Sequence, residues 1–296
     1  GTEIRFILNF TGCRVCFFEN DRQLNKVLEN IDEVPELTDA ILFDSPDELT
    51  MERAALQGIR VHKFIEFEDE GKKSSDSQRA LIEEEIEKTE GSDLATIIFT
   101  SGTTGTPKGV MLTHDNYMAQ CEVIKDVFTT AREGDMWLSV LPVWHVMERV
   151  YDYFIIALKN GIAYSKPAIE LMREDMKVIK PQWIVGVPRL WDAFTQSCYR
   201  EQRKKNGFSS MMFNIGMAIG KTFCWASDRF LGLICRFSLR QQILDRIYGF
   251  LPYILLSPFA GLSYLISIRQ LRKKLGGKIK GCICGGGSLQ PDTDHF

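Results

Sequence analysis

The sequence predicts an α/β protein with parallel, doubly wound sheets, and three observations carry that prediction. Short apolar runs alternate with segments of helical periodicity, a strand–helix–strand rhythm that places parallel strands beside one another. The run Leu94 to Phe99 is largely apolar, as expected of a strand buried on both faces. That run opens into a glycine- and threonine-rich loop, and ligands of open α/β sheets collect at such strand C-terminal ends. A chain of 296 residues is long enough for one large core or two.

In chain order, Ile4 to Leu8 reads as helix and Arg14 to Phe18 as a buried strand. Asp21 to Glu29 is an amphipathic helix with Leu24, Val27 and Leu28 inward, and Asp39 to Phe43 is a second short strand. Residues 66–93 are strongly charged and read as a solvated loop followed by an exposed helix. Beyond the glycine-rich loop, Val110 to Leu112 forms a short strand. A helix then starts near Thr113 or Asp115, with Tyr117, Cys121, Ile124 and Phe128 as its stripe. Asp135 to Leu141 is another strand. The segment LPVWHVMERV, residues 141–150, puts Trp144 and His145 at its end and Glu148 and Arg149 at a helix start. Gly186, Val187, Pro188 and Arg189 make a strand-to-helix turn, and Lys278 to Cys284 is a last strand running into Gly285, Gly286 and Gly287. The expected domains are 1–133, carrying the loop, and 134–296, with a helical apolar insertion at 194–280 and the site in the crevice between them.

The loop itself, TSGTTGTPKGVMLTH from Thr100 to His114, has the chemistry of a phosphate grip. Gly102, Gly105 and Gly109 let the backbone approach a bulky anion. Thr100, Ser101, Thr103, Thr104 and Thr106 add hydroxyls, and Lys108 adds a compact positive charge. Successive N–H groups in such a turn form an anion-binding concavity. The Pro107-Lys108-Gly109 order and the delayed helix exclude a Walker A loop, in which Lys follows Gly and a helix begins at once.

A net charge of −3 argues against a general nucleic-acid binder. No N-terminal stretch has the build of a secretory signal, so a cytoplasmic protein is expected, peripheral at the inner face of a membrane if it meets one. Cys13, Cys16, Cys282 and Cys284 lie in apolar, strand-like runs and read as small hydrophobes rather than as a zinc site. Phe250 to Ile268 has no charged side chain and is followed by RQLRKKLGGKIK. It is open to three readings: a buried or tunnel-lining helix, a surface dipping into a bilayer through residues 250–280, or a span.

At Thr100 to Gly109 the chain resembles the AMP-forming adenylating enzymes, whose phosphate loop has the form [ST]-[ST]-G-[ST]-T-G-x-P-K-G. Residues 141–149 resemble the L-P-x-x-H-x-x-E-R of long-chain acyl-CoA synthetases, and Val187 to Trp191 resembles their V-P-R-[LVM]-[WY]. Gly285 to Gly287 resembles the family's S-G-G-[AG]-x-L, with Cys284 where its serine is usual. The resemblance implies two stacked doubly wound subdomains, here incomplete at both ends.

It also implies ATP as substrate, Mg²⁺ with Ser101 as a ligand, and CoA as cosubstrate. Lys108 and residues 100–106 and 109 would hold phosphates, Gly285 to Gly287 the adenine and acyl group, and Trp144, His145 and 186–189 the acyl substrate. A long-chain fatty acid would become acyl-AMP and then acyl-CoA. Further motifs of the family, a Y-G-x-T-E segment, a ribose-gripping aspartate and a C-terminal lysine, would follow Phe296, so residues 1–296 alone are expected not to complete the reaction. Two alternatives stand beside this: a fatty acyl-AMP ligase feeding a carrier protein, and a catalytically dead, membrane-associated binding protein of the same fold.

Overall fold

The computed structural model describes residues 2–100, 107–204 and 207–294. The chain divides into two compact units, Gly1–Asn116 and Tyr117–Phe296. In the first, α1 (Thr2–Thr11), β1 (Val15–Phe18), α2 (Asp21–Leu28), β2 (Asp39–Leu42), α3 (Glu48–Leu56) and β3 (Arg60–Lys63) alternate, and β1–β2–β3 pair in parallel. Asn20 caps α2 by accepting from the Gln23 amide, and Asp47 caps α3 by accepting from that of Thr50 at 2.6 Å. Leu24, Val27 and Leu28 are buried against Phe18, Ala40, Leu42 and Ala54, as their spacing predicts. In the strand expected to be buried, only Phe18 is; Phe17 is 54% exposed and stacks on Phe43 across the outer face. Asp39 accepts from Arg60 at 2.7 and 2.8 Å and shares a hydrogen bond with His62 at 2.9 Å, tying β2 to β3.

The charged segment is helical in both halves: α4 (Phe64–Lys72) and α5 (Asp76–Lys88) bury no residue. A capping box between Ser75 and Gln78 starts α5 inside what reads as loop. β4 (Leu94–Thr100) and β5 (Lys108–Thr113) form an antiparallel hairpin with Thr100 opposite Lys108. This corrects the expectation of a strand buried on both faces: β4 is exposed at its ends and half-buried between them. An apolar run is shared by buried parallel strands and by hairpins with one covered face, and periodicity does not separate them.

Helix α6 (His114–Val127) runs across the division between the units, and Tyr117 and Cys121 are its buried residues. Cys121 packs with Trp137, Phe154 and Trp183, so this stripe belongs to the second core, whereas the sequence-based boundary lay after it, at 133/134.

The second unit contains β6 (Met136–Ser139), α7 (Val146–Ala157), β7 (Gly161–Tyr164), α8 (Ile169–Ile179), β8 (Trp183–Gly186) and α9 (Pro188–Arg203). It continues through α10 (Gly207–Phe230), α11 (Leu239–Ser263), a π-helical turn (Tyr264–Ile268), α12 (Arg269–Lys274), β9 (Gly281–Cys284) and the short α13 (Pro291–Asp294). Among the described residues its sheet is parallel, in the order β7–β6–β8–β9. Strand alternation covers both faces. Trp137, Trp183 and Val185 face Phe154, Ile155 and Cys121, while Leu138 and Ile184 face Met172, Met176, Phe194 and Phe213. The chain steps from β6 to β7 on one side and to β8 and β9 on the other, so β6 marks a topological switch point.

At the opposite, N-terminal end of this sheet Asp135 is 8% exposed. It accepts from Lys280 Nζ at 2.8 Å, Trp183 Nε1 at 3.0 Å and the Arg132 amide at 3.0 Å. Burial alone would raise its pKa, but these donors together hold the carboxyl below its ordinary range. Lys280→Met strips the cation from this carboxylate and is expected to cost about 2 kcal/mol at neutral pH, discounted because Lys280 is partly exposed. A lowered folded-state pKa stabilises above the unfolded value of about 4 and is lost as pH falls through the folded one. Urea midpoints of variant and parent are therefore expected to differ at neutral pH and to converge in acid.

Candidate functional site

Phosphate-loop residues Ser101, Gly102, Thr103, Thr104, Gly105 and Thr106 lie outside the described residues. Their flanks are described: Thr100 ends β4, Lys108 begins β5, and the pairing of the two brings the loop's ends together. Both side chains are exposed, so Lys108 has its charge available to a ligand rather than committed to a core. Gly109 pairs with Phe99, and a Cβ there would meet Ile97 Cγ2 at 3.0 Å and the Phe99 ring at 3.3 Å. A larger residue at this strand position would make those two side chains give way by a few tenths of an ångström.

In the second unit three separate segments meet at the C-terminal edge of one sheet. Trp144 and His145 follow β6, Val187, Pro188 and Arg189 follow β8, and Gly285, Gly286 and Gly287 follow β9. The Gly285 amide donates to Gly186 O at 3.2 Å. A Cβ on Gly285 would sit 2.7 Å from Met147 Cε, and one on Gly287 would sit 3.5 Å from Pro188 Cγ. Gly286 takes φ +80°, a conformation that side chains resist. Trp191, one turn into α9, donates Nε1–H to Ile283 O at 3.1 Å and locks α9 onto β9. A Cβ on Gly186 would reach that indole at 2.9 Å, which explains the glycine before the turn.

His145 is the N-cap of α7, and its Nδ1 accepts from the Met147 amide at 3.2 Å. That bond leaves Nε2 as the donor of the neutral ring. His145, Trp144 (72% exposed) and Arg189 are all exposed at this edge. Arg149 Nε donates to Val143 O at 3.2 Å, fastening the 141–145 loop to the helix that follows.

Glu148, three residues after His145, lies inside instead: it is 1% exposed. Burial pushes its carboxyl up to about 7 and nearby Asp152 adds to the shift, while Ser139 and the Leu141 amide oppose it. Glu148 Oε2 has no partner among the described residues. Its spacing after a helix start was visible in the sequence, but its burial depends on the sheet above it, which no local pattern reveals. With the folded pKa above the reference 4.5, the folded protein binds more protons than the unfolded chain between those values. Stability is full below the unfolded value and declines as pH rises through the folded one. Glu148→Gln, neutral at every pH, is expected to exceed the parent by on the order of 2 kcal/mol near pH 8 and to lose that advantage near pH 5. Thermal unfolding at the two pH values measures the difference.

Beside β9 lies a cavity of about 490 Å³, within the range of small-molecule pockets. Trp191, Phe194, Leu271, Leu275, Cys284 and Leu289 contribute to its wall. It is mainly apolar, with Thr195, Arg272, Thr293 and Asp294 at polar points. Cys284, at the position expected to carry a serine hydroxyl, is half-buried here, and burial raises its thiol pKa.

The AMP-binding enzyme family matches residues 1–296. Probable acyl-activating enzyme 16, chloroplastic, of Arabidopsis thaliana is 28% identical over 217 residues, covering 72% of this chain and 30% of that protein. Fatty acyl-CoA synthetase B of Dictyostelium discoideum is 26% identical over 273 residues, covering 92% of this chain and 36% of that protein. Long-chain-fatty-acid–CoA ligase 5 of Rattus norvegicus is 31% identical over 193 residues, covering 63% and 27%. The chain thus spans about a third of the length of these relatives. The A-PCP didomain of a carboxylic acid reductase from Segniliparus rugosus, solved in complex with AMP, superposes with a TM-score of 0.59 at 15% identity, covering 99% of this chain and 35% of that one. That likeness shows the fold: helices and parallel sheets arranged as in adenylation domains. The chain belongs to the AMP-binding enzyme family.

Proposed function

We propose that this chain supplies the phosphate-gripping and acyl-binding parts of an ATP-dependent ligase that converts a long-chain fatty acid to acyl-AMP and then to acyl-CoA. The observation that carries the reading is the meeting of His145, the 186–189 turn and Gly285–Gly287 at the switch point of one parallel sheet. Parallel pairing of β6, β8 and β9 brings these three loops to one edge, the edge at which open α/β sheets bind their ligands.

A carboxylate is a poor electrophile. Its own oxygen attacks the α-phosphorus of ATP, forming the mixed anhydride and releasing pyrophosphate. The thiol of CoA then attacks the acyl carbon, and AMP leaves with the anhydride oxygen. The substrate is the nucleophile, so the protein must orient reactants and neutralise charge on the departing phosphates. Lys108 and the donors of residues 100–106 and 109 do this in our reading. Nε2 of His145 points a donor at the carboxylate or adenylate, Trp144 and Arg189 flank the acyl entry, and Gly285 to Gly287 let backbone lie flat against adenine. The acyl chain lies in the cavity beside β9. Mg²⁺ supplies positive charge to the phosphates when bound, with Ser101 as its protein ligand.

A second reading has one observation in its favour. The long-chain-fatty-acid–[acyl-carrier-protein] ligase AEE15 of Arabidopsis thaliana is 27% identical over 250 residues, covering 80% of this chain and 33% of that protein. In that reading the acyl group goes to a carrier-protein thiol. Fatty acid labelled with ¹⁸O in both carboxyl oxygens tests the whole scheme in the whole protein. One label is expected in AMP and one in the thioester. Parallel reactions with CoA and with carrier protein identify the acceptor, and AMP without label would rule out an acyl-adenylate.

A further inference from the structure

Helices α10 and α11 form an antiparallel hairpin at the side of the second unit. Ser263 Oγ donates to Gly216 O at 2.7 Å and Ser267 Oγ to Phe213 O at 2.9 Å. Nearer the tip, Phe230 packs on Phe250 and Tyr253, and Gly249 lies against the α10 backbone, where a Cβ would meet Ala226 O at 2.6 Å. The base is anchored, because Phe213 and Met217 join Leu271, Phe194 and Met172 in the core. The flank of α11 is not: Ile243, Ile247, Leu251, Ile254, Leu255 and Phe259 are each at least half exposed. The helical stretch Leu239–Lys274 has the length and apolarity of a membrane segment, yet only 11% of its most apolar window is buried. This removes the buried-helix reading of residues 250–268. So large a contiguous apolar surface marks an interaction site.

Charge identifies the partner. Residues 207–280 hold eleven Lys or Arg against two Asp, and with Lys274 paired to Glu201 and Lys280 to Asp135 outside the segment the balance is +7, in a chain whose total is −3. Asp245 is held by Arg236 at 2.7 Å. Arg240 and Arg246 at one end of the apolar run, and Arg269 and Lys273 at the other, are exposed. A strongly apolar flank bracketed by cations fits a sheet of anionic headgroups over hydrocarbon better than another protein surface.

Depth follows from the anchor. Beyond Gly220 the one buried residue of α10 is Ala226, which lies against Gly249 of α11, so about ten residues, roughly 15 Å, extend past the core, against a hydrocarbon thickness of about 30 Å. The tip also carries Arg229, Arg236 and Asp245. The hairpin therefore lies along one leaflet and does not cross.

We propose that the α10–α11 hairpin docks this protein on one leaflet of an anionic phospholipid membrane, with the α11 flank among the acyl chains and Arg240, Arg246, Arg269 and Lys273 at the headgroups. The test is flotation of the full chain with vesicles of phosphatidylcholine alone or mixed with phosphatidylglycerol. Binding is expected only with the anionic lipid, to weaken with salt, and to be released by alkaline carbonate. The paired substitutions Leu251→Asp with Leu255→Asp, and separately Arg240→Glu with Lys273→Glu, are expected to lower binding by about tenfold or more while leaving the circular dichroism spectrum unchanged. These positions are exposed, so folding is not at stake. No flotation, equal flotation of variants and parent, or retention after carbonate would overturn the proposal. So would a concentration-dependent dimer, abolished by the leucine pair, in a protein that ignores vesicles. The readout is binding alone and stands apart from the proposed ligase chemistry.

Discussion

Lys108→Ala is expected to lower fatty-acid-dependent exchange of pyrophosphate into ATP by on the order of 10²- to 10³-fold, the usual effect of removing one preorganised donor from a developing charge. The side chain is exposed at the start of β5 and backs onto no core, so the unfolding midpoint is expected to stay within the small range of surface substitutions. Lys108→Arg tests the geometry. A guanidinium keeps the charge but changes its shape, so partial recovery is expected. Exchange kinetics unchanged in Lys108→Ala would remove this residue from phosphate binding.

His145 should produce the second large effect, and its position allows two roles to be separated. As the N-cap of α7 its Nδ1 satisfies the Met147 amide, a contact worth about 1 kcal/mol of stability. As a substrate contact its Nε2 would orient the carboxylate, where loss of positioning costs on the order of 10²-fold in rate. Asparagine is a good cap but has no equivalent of Nε2. His145→Asn is therefore expected to keep the stability of the parent and lose the rate, while His145→Ala loses both. Full activity in His145→Asn would leave the residue a cap and nothing more.

The parts of the fold that were legible in the sequence share one property: their signal is local. Leu24, Val27 and Leu28 recur at helical spacing behind Asn20, and the structure buries those three. The Val185–Trp191 turn declares itself through glycine at a strand end and proline at N1, and β8 and α9 meet there. Trp144 and His145 were placed at a strand end before a helix, as found. What was not legible depends on partners distant in sequence. Leu94 to Phe99 is apolar enough for a buried parallel strand, yet its partner is the next strand in the chain, running antiparallel. The first half of the charged segment becomes helix α4 because polar residues at every turn suit an exposed helix as well as a loop. Phe250 to Ile268 is apolar on all sides, a pattern common to buried, docking and spanning helices, and only its packing on α10 separates them. Glu148 stands in a motif that can be read by eye, but its burial and raised pKa come from the sheet and from Asp152. The loop at residues 101–106 rests on its sequence, closed by the pairing of Thr100 with Lys108.

In our reading this chain's motifs serve adenylation of a long-chain fatty acid. Isotope exchange between pyrophosphate and ATP in the whole protein measures that half-reaction alone, without CoA or a carrier. Exchange that appears only with a long-chain fatty acid, needs Mg²⁺ and collapses in Lys108→Ala is the predicted result. Exchange indifferent to fatty acid, or none from folded protein that hydrolyses ATP to ADP, would contradict it.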